Sequence, residues 1–582
     1  MQIIKSPATY DVCIIGSGAG GGMAAKVLAE GGANVVMLEA GPRWDPVADA
    51  YMFKWSYDSP RRGAATAKQE FGEFDACFGG FSIEGEPYTR AAGTRFDWFR
   101  ARMLGGRTNH WGRISLRYGP DDFRRKSVDG LGDDWPITYD DIKPYYDKVD
   151  EFVGIFGTNI AESHKLPNEP DGIFQPPPKP RCYELLVKKA SDNLNVTCVP
   201  SRMSIITKSI NGRIPCHYCG QCNRGCATHS NFSSPSVLLP PAMATKRLTM
   251  QTDAMVREIT VGSDGLADGV IYIDKTTGRE HQVSAKVVVL AASACESARI
   301  LLNSRSNLFP QGLGNSTGNV GRYLTDSTGV GVTGFIPSMM DMPAHNEDGV
   351  GGMHVYMPWW LDNKKLDFPR GYHIEVGGGR RMPSFGFMGA MHQYAGMPPF
   401  AGNQGGTPLP GIGYGKKLKD DYRRFYGATV GFAGRGEMIP NEKSYCEIDP
   451  SVVDRFGIPV LRFNFAWTDY EYKQAKHMQE TFRALIAEMG GTPTTPMPSA
   501  ESGYGLLDGG RIIHELGVTR MGNAPASSVV NANCQVHDVK NVFVADAAPF
   551  VSQPDKNPTW TILALAWRTS DYILEQRRQG NI

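Results

Sequence analysis

The sequence predicts an α/β protein, α+β overall. A Rossmann-like dinucleotide-binding unit is combined with a Gly- and aromatic-rich region of short alternating runs. Three observations predict this. A β-type run leads straight into Gly16-Ser-Gly18-Ala-Gly-Gly21 near the start of the chain. Strand patterns of the same buried kind return far downstream, at 286–292 and 541–546. Between them, residues 326–455 are rich in Gly and aromatics, with alternating runs such as GVGVTGFI and GYHIEVGG and no long helical period.

The first segment has the order that gives a glycine fingerprint its meaning. YDVCII at 10–15 reads as a strand, 23–29 as a helix, and NVVML at 34–38 as a second strand ending at Glu39. Gly16 and Gly18 allow a tight turn and close approach of a pyrophosphate, whose charge faces the helix N-terminus. Glu39 lies eighteen residues past Gly21, placed to hold ribose hydroxyls. This context predicts dinucleotide binding, with FAD and NAD as the competing ligands. KVVVLAA at 286–292 reads as a buried strand followed by a helix over 293–304, and NVFVAD at 541–546 as a third strand. Its terminal Asp546 would meet the ribityl or pyrophosphate region of a flavin; capping the next turn is the alternative.

Residues 216–226 read CHYCGQCNRGC, a C-x2-C-x2-C-x3-C run formed by Cys216, Cys219, Cys222 and Cys226. Such spacing lets one short loop wrap several corners of an iron–sulfur cluster. With a single run, Cys226 either completes a [4Fe-4S] cluster, the favoured form, or leaves a three-coordinated [3Fe-4S] one. A zinc site assisted by His217 or His229, or two disulfides, are the alternatives. The other cysteines (Cys13, Cys77, Cys182, Cys198, Cys295, Cys446, Cys534) show no framework and read as small buried apolar residues.

Length alone, 582 residues, suggests about four domains at ~150 residues each. A formal net charge of +1 gives no basic field for nucleic acid. No apolar run reaches the ~18 residues of a transmembrane helix. The opening residues lack the n-region, h-region and cleavage site of a signal peptide. The expectation is a cytoplasmic protein, or one carried folded to the periplasm by a signal-bearing partner. QPPPKPR at 175–181 reads as a connecting loop rather than a boundary.

HELGVTRMG from His514, NVFVADAAPF…NPTWTILALAWRTSDYI from Asn541, the N-terminal GSGAGGG and LGGRTNHWGR at 104–113 resemble the glucose–methanol–choline (GMC) FAD oxidoreductases. WPITYDDIKPYYDKVDEFVGIFG at 135–157 is similar to their bacterial sugar-dehydrogenase branch, which includes FAD glucose dehydrogenases, fructose and gluconate dehydrogenase flavoprotein subunits and glucoside 3-dehydrogenases. The resemblance runs from residue 11 to about 572 and is specific at its two ends. It implies a discontinuous Rossmann-like FAD-binding domain at 1–325 and 456–582, with a Cys-rich iron–sulfur insertion near 210–235, and a substrate domain centred on an antiparallel sheet at 326–455. It places His514 and Asn557 over the flavin N5. A neutral imidazole, with an ordinary pKa of ~6.5, can take the proton of an alcohol as its C–H gives up hydride, and Asn557 can orient the hydroxyl. A capping or core role is the alternative for His514, and a turn-starting role for Asn557.

The same resemblance brings Gly105, Gly106, Thr108, Asn109 and His110 past the isoalloxazine, with Val256 and Thr559 also on the cofactor. In pyranose oxidases, which this stretch resembles, the His before Trp bonds covalently to the flavin; for His110 a hydrogen-bonding, flavin-positioning role is the leading reading. The function so implied is a dehydrogenase that oxidises a sugar or glycoside hydroxyl to a ketone or lactone, with hydride passing to FAD. Its electrons then pass through the cysteine cluster to a cytochrome-type acceptor, and a small partner subunit is expected. A sugar oxidase using O2, with structural zinc at the cysteines, is the alternative. The aromatic clusters 356–360 and 385–394 read either as pyranose-stacking walls or as sheet packing.

Overall fold

The computed structural model of the chain describes residues 3–50, 78–166, 168–342, 349–358, 366–379, 415–416, 419–420 and 426–582. Its largest sheet has seven strands. Six run in the order Leu248–Gln251, Val35–Leu38, Ile4–Ile15, Glu280–Leu290, Ala267–Asp274 and Ala254–Val261, and Val542–Val544 pairs with Glu280–Leu290. The first four strands and Val542–Val544 pair in parallel, while the remaining two add an antiparallel meander. The central parallel strands are buried at Val12, Ile14, Val35, Val287–Leu290 and Val542, which is why they read as continuous apolar runs, whereas the edge strand Leu248–Gln251 alternates between half-buried and exposed.

The first helix spans Ala19–Glu30, a full turn earlier than the apolar pattern suggests. Its first turn is glycine, which pattern reading penalises, yet contact demands it there. A Cβ on Gly20 would lie 1.6 Å from the Ala545 carbonyl oxygen, and one on Gly21 would lie 2.0 Å from that of Gly16. The helix therefore sits directly against the strand ends. The C-terminal helix Thr559–Arg578 packs beside it and is pinned to Tyr139–Val153 by Tyr146 Oη to Thr561 Oγ1 (2.6 Å) and Trp560 Nε1 to Asp150 Oδ1 (2.6 Å).

The second sheet is antiparallel and has six strands, in the order Thr492–Pro493, Thr328–Phe335, Thr429–Gly436, Tyr372–Gly378, Val355–Met357 and Val199–Pro200. Alternation divides its two faces. Val330, Val332, Ile374, Val376, Val430 and Phe432 share a core with the helices Cys182–Asn193 and Asp469–Glu488. His373, Glu375 and Arg435 stand on the opposite phase of their strands. Two elements pack across the division expected at 326–455. The Asp469–Glu488 helix covers the antiparallel sheet, whereas Tyr445–Val453 pairs with Pro459–Asn464 and adds Cys446 to the nucleotide-side core.

Cys182 corrects the reading of the scattered cysteines as buried, because it opens a helix and is exposed; Cys13, Cys198, Cys295, Cys446 and Cys534 are buried as expected. Cys77 and the 385–394 cluster lie outside the described residues, as do Trp359 and Trp360. Tyr356 is fully buried, its hydroxyl donating to Glu169, so this residue is packing and not a wall. Among the described residues no helix is long and apolar enough to cross a membrane.

Candidate active site

A cavity opens where the parallel strands end, with about 1230 Å³ of free space when the open solvent at its mouth is included. It is lined by Gly16, Gly18, Gly20, Glu39, Gly106, Thr108, Val256, His514, Asp546 and Thr559, so distant segments converge on one cleft. Gly16, at φ +98°, turns the chain out of the strand, and a Cβ there would lie 2.3 Å from the Ala291 oxygen. Gly18 differs: a Cβ would meet no protein atom within 4 Å. No side chain caps the helix behind it. The free N–H groups of that first turn and the bare Gly18 Cα together form a cradle for an anionic ligand.

Glu39 is buried at the adjacent strand end. Its Oε2 accepts from Ser17 Oγ (2.5 Å) and Ser17 N (3.2 Å), and its Oε1 from Gly41 N (2.8 Å). Burial raises its pKa against those hydrogen bonds. Asp546 accepts from Ser297 Oγ (2.5 Å) and Ala548 N (2.9 Å), and burial pushes it up to about 6. A glycine cradle with one carboxylate at each flanking strand end fits a dinucleotide lying across the sheet.

Gly105, Asn109 and Gly21 shape the cleft from behind. Gly105 N donates to Ser17 Oγ (2.8 Å), while Asn109 Nδ2 holds the Leu104 and Gly106 carbonyls (2.9 and 3.2 Å). None of these three is among the residues lining the cavity. His110 is not among them either. Its ring is buried edge-on against Phe99 at 5.3 Å, and burial lowers its pKa to about 3. Its neighbours Thr108 and Trp111 face the cavity instead.

His514 follows a tight turn in which Gly510 (φ +81°) and Ile513 (φ +66°) are left-handed. Asp326 fixes that turn, accepting from Gly510 N (2.7 Å) and His514 N (2.9 Å). Arg107 forks onto Glu515 (2.9 Å for Nη1 to Oε2), tying the turn to the 106–109 loop. His514 Nδ1 lies 3.0 Å from Ser327 Oγ, which accepts from Gln553 Nε2 (2.9 Å). Its Nε2 lies 3.4 Å from Asn557 Nδ2, a donor. The proton therefore belongs on Nδ1, and the Nε2 lone pair faces Asn557. Burial, then the charge of Arg435, lowers this imidazole to about 3 despite the opposing charge of Glu375. It is a neutral acceptor at any ordinary pH.

Sequence reading missed the residues around this pair. Glu375 Oε1 is 3.4 Å from both Asn557 Nδ2 and His373 Nε2, and Oε2 is 3.1 Å from Arg435 Nη2. Burial works to raise the Glu375 carboxyl, but Arg435 and His373 outweigh it and hold it at about 2. The signal was present in GYHIEVGG. His373 and Glu375 are two apart, so they share a face opposite Ile374 and Val376.

The four cysteines of the run gather in one loop, with Cys222 and Cys226 buried and Cys216 and Cys219 half-buried. Tyr218 (φ +58°), Gly220 (+67°) and Gly225 (+100°) curl it. Burial, then the neighbouring thiols, pushes up the thiols of Cys216, Cys219 and Cys222. An N–H donor reaches one sulfur, Tyr218 N donating to Cys216 Sγ at 3.4 Å. Among the described residues the one trio of possible ligand atoms within 4.8 Å of one another is Asp122, Glu437 and Asp555, so no three of these thiols share the tight spacing of a tetrahedral zinc site. Trp111 joins loop and cavity, since it lines the cavity and donates to the Phe232 carbonyl (3.1 Å).

Fold and site together fit a dinucleotide-binding α/β protein with a neutral, buried histidine at the cleft. Family models described as GMC oxidoreductase match residues 19–328 and 440–566, and the chain belongs to this family of FAD-binding enzymes acting on CH–OH groups. It is 30% identical to a 2-methyl-1,2-propanediol dehydrogenase of Mycolicibacterium austroafricanum, over 97% of this chain and 95% of that one. It is 25% identical to the fructose dehydrogenase large subunit of Gluconobacter japonicus, over 98% of each. The structure of pyridoxine 4-oxidase from Mesorbium loti superposes with a TM-score of 0.64 at 16% identity, covering 97% of this chain and 98% of that one, a likeness of fold.

Proposed function

We propose that this protein is an FAD-dependent dehydrogenase that oxidises a hydroxyl of a sugar or glycoside to a ketone or lactone. Its electrons leave through an iron–sulfur group on Cys216, Cys219, Cys222 and Cys226 to an outside acceptor of cytochrome type. The observation that carries the reading is the pairing of His514 Nε2 with Asn557 Nδ2 at 3.4 Å beside the glycine-lined cleft. A substrate hydroxyl placed between them would lose its proton to Nε2, while Asn557 donates to the oxygen as charge develops there. Ser327, Gln553 and Asp326 hold the imidazole in the tautomer this requires. FAD, cradled by Gly16, Gly18 and Glu39, would supply the hydride acceptor.

Two relatives support the sugar and two-component parts of the reading by name: the fructose dehydrogenase large subunit and, at 24% identity, a gluconate 2-dehydrogenase flavoprotein of Pantoea cypripedii. The cysteine spacing and the N–H donor at Cys216 Sγ support the cluster. A second reading, an O2-using oxidase, is favoured by the paromamine 6'-oxidase of Streptomyces fradiae, which is 26% identical. The visible spectrum and iron content of purified protein separate the two. Broad brown absorbance above the flavin bands, lost in Cys219→Ser together with turnover of a cytochrome but not substrate bleaching of the flavin, is the expected result. Flavin bands alone, with rapid H2O2 formation, would establish the oxidase.

A further inference from the structure

Glu375 and Arg435 come from neighbouring strands of the antiparallel sheet. His373 pairs with Arg435 in register, so Glu375 lies one step diagonally from it on the same face. This is the face turned to His514 and Asn557, since Glu375 Oε1 lies 3.4 Å from Asn557 Nδ2. A desolvated ion pair is a poor stabilising device, because packed apolar residues of equal volume usually do as well or better. Its retention beside the base and the hydroxyl-orienting amide calls for another reason.

The pair is also not closed. The side chains of Glu375 and Arg435 keep 15% and 21% of their exposure, so both reach open space. The Glu375 carboxylate can accept about four hydrogen bonds. It receives one at 3.1 Å and two long ones at 3.4 Å. The five N–H groups of Arg435 serve Glu375 and the Gly434 carbonyl (3.1 Å). A strong acceptor and a strong donor are thus held side by side, with bonding capacity left over and no net charge. A neutral ligand with two adjacent hydroxyls matches that arrangement, one hydroxyl donating to the carboxylate and the other accepting from the guanidinium.

We propose that Glu375 and Arg435 form a substrate subsite that reads a hydroxyl adjacent to the one His514 deprotonates, selecting neutral vicinal diols and pyranosides over simple alcohols. The inference rests on the cleft being the alcohol-oxidising site. Anaerobic bleaching of bound FAD by methyl β-D-glucopyranoside or propane-1,2-diol tests that underlying reading. The subsite is tested separately, by the ratio of kcat/KM for each probe to that of its partner lacking one hydroxyl: singly deoxygenated pyranosides, and propan-1-ol.

A hydrogen bond to a charged group that is lost on deoxygenation corresponds to a penalty of roughly 10- to 100-fold. Wild-type holoenzyme should show it. Glu375→Gln should shrink this diol-to-mono-alcohol ratio about tenfold, chiefly through the KM of the diol, and Glu375→Asp should restore part of it. Arg435→Met provides a second variant, should the first lose its flavin. Equal losses on diol and mono-alcohol in both variants would overturn the subsite and make the pair a positioner of Asn557. An unchanged penalty in a folded, flavin-loaded Glu375→Gln enzyme would overturn it as well.

Discussion

The two sides of the cleft do their work with different parts of the chain. On the nucleotide side the contacts are backbone: Gly16 and Gly20 lie against carbonyl oxygens with no space for a methyl, and Gly18 leaves open space that a methyl would fill. On the sheet side His514 lines the cleft, and hydrogen-bonding and charged groups stand beside it: Asn557, Glu375, Arg435 and His373. A backbone site fails by losing its ligand, whereas a side-chain site fails by losing rate. Substitutions on the two sides should therefore separate binding from chemistry.

The largest effect is expected at Gly20. A Cβ 1.6 Å from the Ala545 carbonyl oxygen forces the helix off the sheet, so Gly20→Ala should yield little or no flavin-loaded protein. Gly18→Ala is the sharper partner. Its methyl meets no protein atom, so the apoprotein should fold normally and bind FAD more weakly. The two are compared by circular dichroism and by flavin released on denaturation. If Gly18→Ala bound FAD as wild type does, the cradle would not touch the cofactor.

On the opposite side, His514→Ala should keep its FAD and lose ~10²–10⁴-fold in the rate of flavin reduction by substrate. Stopped-flow bleaching under anaerobic conditions reads this directly. Near-normal bleaching would move the base to another residue.

Behind Asn557 lies a buried charge network. Lys556 Nζ is 2.8 Å from Asp555, 3.2 Å from Asp122 and 3.8 Å from Glu169, all buried, and Arg125 and Arg202 add two further cations. Burial raises Glu437 to about 8, so at neutral pH it is mainly protonated. With Arg370, 3.9 Å from Glu437 and paired with Asp129 at 2.8 Å, the carboxylates Asp122, Asp555, Glu169 and Asp129 then face the cations Lys556, Arg125, Arg202 and Arg370. Lys556→Met strands buried carboxylates and should cost about 3–5 kcal/mol, read by denaturant melts. Glu437→Gln mimics the protonated form and should cost far less. Equal costs for the two would mean that Glu437 is ionised in the folded protein.

The contrast also explains what was legible. Gly16, Gly18, Glu39 and Asp546 could be read because a nucleotide site is local: strand, turn, helix and strand-end acid follow in order. Val256, Thr559, His514 and the loop at 106–108 were placed by resemblance, and they line the same cavity. Glu375 and Arg435 escaped because their meaning comes from pairing across strands and from Asn557, 182 residues away in sequence. Alternation gave their face but not what it faced. His110 shows the converse: its motif drew attention to the ring, while burial against Phe99 leaves Trp111 to meet the cavity.

The smallest expected effect is the absence of a His514 inflection from the pH profile. An exposed imidazole would lose its basic form below ~6.5, and kcat/KM would fall with it. His514 is held at about 3, first by burial and then by Arg435. Its folded pKa is depressed, so the neutral form, and with it the activity, persists as pH falls through 6.5 and is lost only near the folded value. The stability contribution has the same sign but begins earlier. The unfolded chain takes up a proton below ~6.5 that the native site refuses, so stability falls progressively from there toward pH 3. His514 should therefore add no inflection to kcat/KM between pH 5 and 8, so any inflection there belongs to Asp546, pushed by burial up to about 6, or to Asp326, pushed by burial up to about 7, while the melting temperature already declines at the lower end. Initial rates with an artificial acceptor of pH-independent potential, measured beside thermal melts, make the comparison. A kcat/KM inflection near 6.5 that disappears in His514→Asn would show that the imidazole is hydrated in the free enzyme, and that the sheet side of the cleft is more open than its buried charges imply.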